Sequence, residues 1–296
     1  MSARIIDGKS ISERIKAELA EEISSLRRAR DLTPGLAVVL VGENPASQIY
    51  VRSKNRACRS IGIYSEQHTL DAGVSEQELE ALVRRLNENA DIHGILVQLP
   101  LPAHINARRI LNGIRPDKDV DGFHPVNLGR LLLGEPCLRP CTPAGILELL
   151  VRSNIPTAGA HVVVVGRSDI VGKPMANLLL QRGEHGNATV TVCHSRSRNL
   201  AGLTRQADIL IAACGQAELI TAAMVAPRAA VIDVGINRLE DPESEKGTRL
   251  TGDVKFAEVA AKCSAITPVP GGVGPMTIAM LLSNTVQAAR TAGSEE

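Results

Sequence analysis

The sequence has no tryptophan and only two tyrosines and two phenylalanines in 296 residues, so its core has to be built from Val, Ile, Leu and Ala. Stacking of an aromatic ring on a ligand is left to very few side chains. There is no excess of either charge: 33 basic residues stand against 32 acidic ones. That balance gives no electrostatic footprint for nucleic acid or for an anionic membrane surface. Cys58, Cys137, Cys141, Cys193, Cys214 and Cys263 form no CxxC pair, and the opening MSARIIDGKSISERIKAEL contains no apolar targeting segment. A reduced, cytoplasmic setting is the expectation. The longest apolar runs, such as HVVVVG, are strand-length and too short to span a bilayer. No GxSxG elbow, no HExxH and no zinc-spaced Cys/His set appears, which argues against serine-nucleophile and metal-assisted chemistry. The run PDKDVDGFH spaces Asp117, Asp119 and Asp121 like the opening of a calcium loop. The twelfth position is Leu128, not Glu, and Pro125 interrupts the loop, so calcium is rejected.

What is present is an alternation of strand-like and helix-like segments from one end to the other, the pattern of a parallel α/β sheet. LAVVLVG precedes a helical segment around Tyr50, a helix is expected near residues 75 to 89, and GILVQLP follows. The second half repeats the alternation more strongly in HVVVVG, TVTVC, ADILIAACG, AVIDVG and SAITPV, five strands that suit one Rossmann-type nucleotide-binding unit. The turn-rich RSNIPTAGAH, residues 152 to 161, reads as the seam. Two α/β domains are expected: residues 1–150 joined by a C-terminal helix over 276–296, and a nucleotide-binding domain over 151–275.

The segment GENPASQIYVRSKNRACRSIGI reads as a helix capped by Asn44, with Pro45 in its first turn and Gly62 at its end. At about 100° per residue, Tyr50, Lys54, Ala57, Cys58 and Ile61 share one face, opposite Arg52, Asn55, Arg56 and Arg59. Lys54 is the only basic residue on the apolar side. It is either a boundary lysine that covers apolar surface with its stem or a functional amine. Gln98, at the carboxyl end of a buried strand, is where α/β folds place ligand groups, although a buried amide satisfied by backbone fits the position equally. Asp121, ahead of a glycine, suits a fork of ligand N–H groups. The loop TPVPGGVGPMT suits close approach to a ligand, or is a plain connection.

After the HVVVVG strand comes GRSDIVGKPMA. A glycine-rich turn into a helix places N–H groups where a pyrophosphate can sit, but Gly166, Ser168 and Gly172 do not make the GxGxxG spacing. The following strand is more informative. An NAD site carries an acid about 20 residues on for the ribose 2′-OH. Here the strand ends in His194, Ser195, Arg196 and Arg198. With Arg167 these suit a 2′-phosphate, which favours NADP over NAD.

YVRSK, VQLPLP, DKDVDGFHP, PCTP, GRSDIVGKPMA, TVTVCHSR and PVPGGVGPMT, in that order, resemble the bifunctional methylenetetrahydrofolate dehydrogenase/methenyltetrahydrofolate cyclohydrolase family over nearly the whole chain. The resemblance implies an NADP-dependent oxidation of 5,10-methylenetetrahydrofolate, then hydrolysis of the methenyl cation to 10-formyltetrahydrofolate, in a folate cleft between the two domains. It implies that Lys54 is the base or proton shuttle of hydrolysis, that Tyr50 stacks on the aminobenzoate ring, that Gln98 holds Lys54 and that Asp121 anchors the pterin. It assigns the cofactor to Gly166, Arg167, Ser168, Ser195 and Ile236, and folate contact also to Pro270, Gly271 and Gly272. A homodimer paired through the nucleotide-binding domain is implied as well. Lys255 and Ser197 depart from common family residues without touching these roles. A short-chain dehydrogenase also uses YxxxK, but there the pair follows the nucleotide unit, whereas Tyr50 and Lys54 precede it by more than a hundred residues. A dehydrogenase without hydrolysis and a catalytically silent NADP-binding protein are the remaining alternatives.

Overall fold

The computed structural model describes residues 3–241 and 247–292. In chain order the first elements are β1 (Arg4–Ile5), α1 (Gly8–Arg30), β2 (Gly35–Val41), α2 (Pro45–Ile61), β3 (Tyr64–Leu70), α3 (Glu76–Glu88), β4 (Gly94–Val97), α4 (Ala107–Asn112) and α5 (Pro125–Leu133). There follow α6 (Cys141–Arg152), β5 (His161–Val165), α7 (Gly172–Leu180), β6 (Thr189–Cys193), α8 (Leu200–Thr204), β7 (Ile209–Ala212) and β8 (Ala230–Asp233). The last are β9 (Asn237–Glu240), β10 (Thr248–Thr251), α9 (Phe256–Ala260), β11 (Ala265–Ile266) and α10 (Val273–Ala292). They divide into two compact units, residues 13–141 with 278–296 and residues 1–12 with 142–277.

The first unit holds a three-stranded parallel sheet in the order β3-β2-β4. All seven residues of β2 are buried, which is why GLAVVLV is a continuous apolar run and shows no alternation. Leu79, Leu82, Val83 and Leu86 of α3 pack against β2 and β4 in one core with Ile92 and Ile110. Each such side chain contributes about 1.5–3 kcal/mol by leaving water. The expected helix near 75–89 is α3, started by a reciprocal capping box between Ser75 and Glu78. β3 was not expected: YSEQHTL is polar because it is an edge strand with one face open.

The second unit holds a six-stranded sheet in the order β1-β11-β8-β7-β5-β6, every neighbouring pair parallel. From β5 the chain goes outward to β6 and then returns past β5 to β7, β8 and β11. That doubly wound order places a topological switch between β5 and β7, where such sheets bind ligands beyond the strands' carboxyl ends. The sequence reading assigned residues 1–150 to the first unit, yet β1 pairs with β11 in the second. Two residues of strand are too short to register as a pattern, and only their partner marks them. The β9-β10 hairpin, with Asn237 opposite Thr251, was likewise not expected, its polar strands having no apolar run.

A buried amide braces the end of the first unit. Asn284 of α10 donates to the Val120 and Arg139 carbonyls, both at 2.8 Å. Replacing Asn284 with Ala takes the amide donor from both carbonyls and leaves that of Val120 only the Cys141 thiol at 3.2 Å, and we expect a loss of about 1–3 kcal/mol, read by urea unfolding.

Candidate active site

α2 begins and ends as its sequence requires. Asn44 Oδ1 accepts the Ser47 N–H at 3.1 Å, Pro45 opens the first turn, and Gly62 closes the helix at φ 90°. The buried stripe is Ser47, Val51, Cys58 and Ile61. The expected faces are thus corrected at two residues, Tyr50 and Asn55: Tyr50 lies outside the stripe, 48% exposed, because Val51 takes the core position. Asn55 leaves the solvent face to pair with β3, donating to Gln67 Oε1 at 2.6 Å and accepting from Ser65 Oγ at 2.8 Å. Lys54 is half-buried, and its ammonium donates to Gln98 Oε1 at 3.1 Å.

Gln98 is the first residue past β4. Its backbone N–H bonds the Val39 carbonyl at 2.9 Å, and its Nε2 donates to the Leu99 carbonyl at 2.7 Å. With the amide nitrogen engaged this way, only the oxygen is left to face Lys54.

The three aspartates of PDKDVDGFH separate into three roles. Asp117 forms an exposed ion pair with Arg115 at 2.7 Å. Asp119 is buried and accepts the His124 N–H at 2.7 Å and the Asn127 amide at 3.0 Å, which fixes the turn. Asp121 is partly buried, and its carboxylate has no hydrogen-bond donor among the described residues. Burial raises it to about 6, with Asp119 adding to the rise and the Lys54 charge opposing it. Gly122 has φ 76°, and a Cβ there would lie 2.4 Å from the Arg139 carbonyl carbon, so the chain can turn away behind Asp121 only at glycine. Lys54, Gln98 and Asp121 therefore form one polar cluster, with Tyr50 one turn earlier on α2.

In the second unit the candidate residues follow the strands' carboxyl ends. Arg167 and Ser168 follow β5, Ser195 follows β6 and Ile236 follows β8; Arg167, Ser195 and Ile236 are all exposed. Gly166 has φ 134°, and a Cβ on it would meet the Ala213 oxygen at 2.0 Å. A Cβ on Gly172 would meet the Gly166 oxygen at 2.2 Å. Ser168 Oγ accepts the Val171 and Gly172 N–H groups at 3.2 and 3.4 Å, which leaves its O–H as a donor. Past β6, His194 Nδ1 accepts the Arg196 N–H at 3.1 Å, and Ser197 Oγ accepts the His194 N–H at 2.9 Å. This ordered loop carries two arginines and no acid. A glycine-lined turn at the switch point and a basic loop on the neighbouring strand fit a dinucleotide with a 2′-phosphate.

The loop of Pro270, Gly271 and Gly272 packs on the start of α1. The Gly271 oxygen accepts the Lys9 N–H at 3.0 Å, and a Cβ on Gly8 would meet the Gly272 oxygen at 1.8 Å. Sequence reasoning missed Gly8, whose one signal is a glycine just before a helix in DGKS. It also missed Asp253 and Asn237, since nothing in GDV or GIN reads as a site without the strands beside it.

These features define a two-unit α/β protein with a nucleotide-binding sheet and a separate lysine-centred polar cluster. Comparison with known proteins gives the family. Residues 6–121 match the tetrahydrofolate dehydrogenase/cyclohydrolase catalytic domain, and residues 140–293 match the NAD(P)-binding domain of the same family. A Chlorobium limicola protein named bifunctional protein FolD is 57% identical over 96% of this chain and 96% of its own length. The crystal structure of the Campylobacter jejuni bifunctional FolD enzyme is 49% identical, covers 98% of this chain and 99% of its own, and superposes with a TM-score of 0.91. A Trypanosoma brucei dehydrogenase-cyclohydrolase, solved with NADP and an inhibitor, is 40% identical with a TM-score of 0.92, covering both chains fully. The chain belongs to the tetrahydrofolate dehydrogenase/cyclohydrolase family. It is a bifunctional enzyme, joining an NAD(P)-dependent dehydrogenase to a cyclohydrolase.

Two outcomes test this geometry. In Gly166→Ala, backbone must move away from the Ala213 carbonyl, and we expect dinucleotide affinity to fall at least about tenfold in calorimetric titration. Asp121 is protonated up to about pH 6 when folded but only to about pH 4 when unfolded, so its contribution to stability is present below pH 4 and lost as pH rises through 6. Asp121→Asn should therefore melt higher than wild type at pH 8, with the gap closing by pH 4.

Proposed function

We propose that this chain oxidises 5,10-methylenetetrahydrofolate with NADP and hydrolyses the resulting 5,10-methenyl cation to 10-formyltetrahydrofolate in one-carbon metabolism, with Lys54 moving the proton in hydrolysis. The observation that carries this is the Lys54–Gln98 hydrogen bond beside the unpartnered carboxylate of Asp121. Gly166, Arg167, Ser168, Ser195 and Ile236 would hold the dinucleotide, and the family's assignment of Pro270, Gly271 and Gly272 to folate stands with them as part of the proposal. When bound, NADP supplies the redox chemistry by accepting a hydride from the substrate's methylene carbon.

The polar cluster serves the second step. Water adds to the methenyl carbon and gives up a proton to Lys54; the carbon–N5 bond then breaks as N5 takes a proton and the new hydroxyl loses its own, becoming the formyl carbonyl. One proton is released overall. Gln98 fixes the amine through its oxygen, so the remaining lysine valences point away from the amide. Asp121, ionised at neutral pH, accepts the pterin's N–H groups and balances the cation. Tyr50 offers an exposed ring for stacking on the aminobenzoate. Nothing in this scheme asks Lys54 to assist the oxidation, which needs only aligned carbons.

We further propose a cytoplasmic homodimer paired through the nucleotide-binding unit. β6 is an edge strand that exposes Val192, and Leu180 at the end of α7 is also exposed. All six cysteines are free thiols, and no helix among the described residues is long and apolar enough to cross a membrane.

The test is a paired assay of Lys54→Met against wild type: NADP-dependent oxidation of methylenetetrahydrofolate, and hydrolysis of supplied methenyltetrahydrofolate. We expect hydrolysis to fall at least about a thousandfold, within the range of a lost acid–base group, while oxidation and folate binding persist. Retained hydrolysis would return Lys54 to a boundary role.

A further inference from the structure

Two aspartates at the carboxyl edge of the six-stranded sheet have no part in the chemistry above. Asp253 has no solvent exposure and Asp233 only 2%. Asp253 Oδ2 accepts the backbone N–H groups of Cys214 at 2.7 Å and Gly215 at 2.8 Å, and its Oδ1 accepts the Asn237 side-chain amide at 2.9 Å. Asp233 Oδ1 accepts the N–H groups of Gly235 at 3.0 Å and of Asp253 itself at 2.8 Å. Its Oδ2 accepts the Val254 N–H at 3.0 Å. The two sit reciprocally against glycines: a Cβ on Gly235 would be 2.3 Å from Asp253 Oδ1, and one on Gly252 would be 1.7 Å from Asp233 Oδ2. Burial raises Asp233 to about 6, and the nearby Asp253 adds to the rise. Two buried carboxylates side by side are a costly way to make a turn, since backbone or a hydroxyl would serve at less desolvation.

What they hold explains the cost. A trans peptide points its N–H and its C=O in opposite directions. Asp253 holds the Cys214 N–H, so the Ala213 carbonyl of the same peptide points the opposite way, toward Gly166. That oxygen is the one a Cβ on Gly166 would meet at 2.0 Å. The carboxylate therefore sets the peptide that borders the first glycine of the phosphate turn, across the switch between β5 and β7. Through Asn237 it also holds the residue next to Ile236.

We propose that Asp253, steadied by Asp233, is a positioning residue for the dinucleotide, orienting the 213–215 peptides that border the Gly166 turn and the Ile236–Asn237 step. The inference rests on the reading that NADP occupies this edge of the sheet. In Asp253→Ala, the Cys214 and Gly215 N–H groups and the Asn237 amide all lose their acceptor, so the peptides reorient or stay unpaired.

The experiment compares Asp253→Ala, Asn237→Ala and wild type by calorimetric NADP titration, apo-protein melting, and alkylation of Cys214 by iodoacetamide followed by mass spectrometry. The Cys214 thiol is raised to about 12, first by burial and then by the Asp253 charge, so loss of that charge should speed its alkylation. We expect the NADP Kd to rise about ten- to a hundredfold in Asp253→Ala and less than about threefold in Asn237→Ala, which keeps both peptide contacts. An Asp253→Ala protein that melts lower but binds NADP within twofold of wild type would reduce the aspartate to a structural brace and overturn the inference. An Asn237→Ala effect as large as that of Asp253→Ala would move the role from the 213–215 peptides to Asn237 and overturn it as well. Wild type that fails to bind NADP would instead sink the function on which the inference rests.

Discussion

The hydrogen bond from Lys54 to Gln98 is the contact on which the catalytic unit turns, because it joins the middle of a helix to the end of a strand 44 residues later. It can form only if β4 lies beside β2 in parallel register, with Gln98 continuing the ladder onto Val39. It also requires α2 to present Lys54 on its buried side, which the Val51, Cys58 and Ile61 packing enforces. The apolar core thus serves as a jig that holds an amine and an amide together at 3.1 Å. An amine left on the solvent face would have nothing to orient it.

Both units carry a buried carboxylate at their working edges. Asp121 and Asp233 are each raised to about 6, chiefly by burial. Each therefore loses folding stability as it ionises between about pH 4 and pH 6. Asp121 keeps its carboxylate unpartnered, open to a ligand, while Asp233 spends its own on three backbone N–H groups. The contrast separates a group meant for substrate from one meant for the protein's own loops.

The nucleotide-binding sheet shows how much of a binding surface is backbone. Ser168 Oγ accepts two N–H groups at the entry to α7, which leaves its O–H to donate to a ligand. Gly166 and Gly172 matter because side chains there would strike carbonyls. What a dinucleotide meets at such an edge is peptide groups aimed by buried side chains, as well as side chains that reach it directly.

The sequence by itself determined the alternation of strands and helices, the caps of α2 and α3, the absence of an acid past β6, and the motifs that place the chain in its family. These are local features: a capping residue, a buried apolar run or a missing carboxylate is legible within a few positions. Only the tertiary structure decided which of Asp117, Asp119 and Asp121 is left without a donor, that Tyr50 lies outside the buried stripe, that β1 joins the second unit's sheet, and that β3 exists at all. It alone brought Asp253 to the Cys214 and Gly215 amides, 39 and 38 residues away. The physical reason is common to all of these. Burial, hydrogen-bond partnership and strand pairing are properties of what lies across from a residue, and no local pattern encodes the far side of a contact.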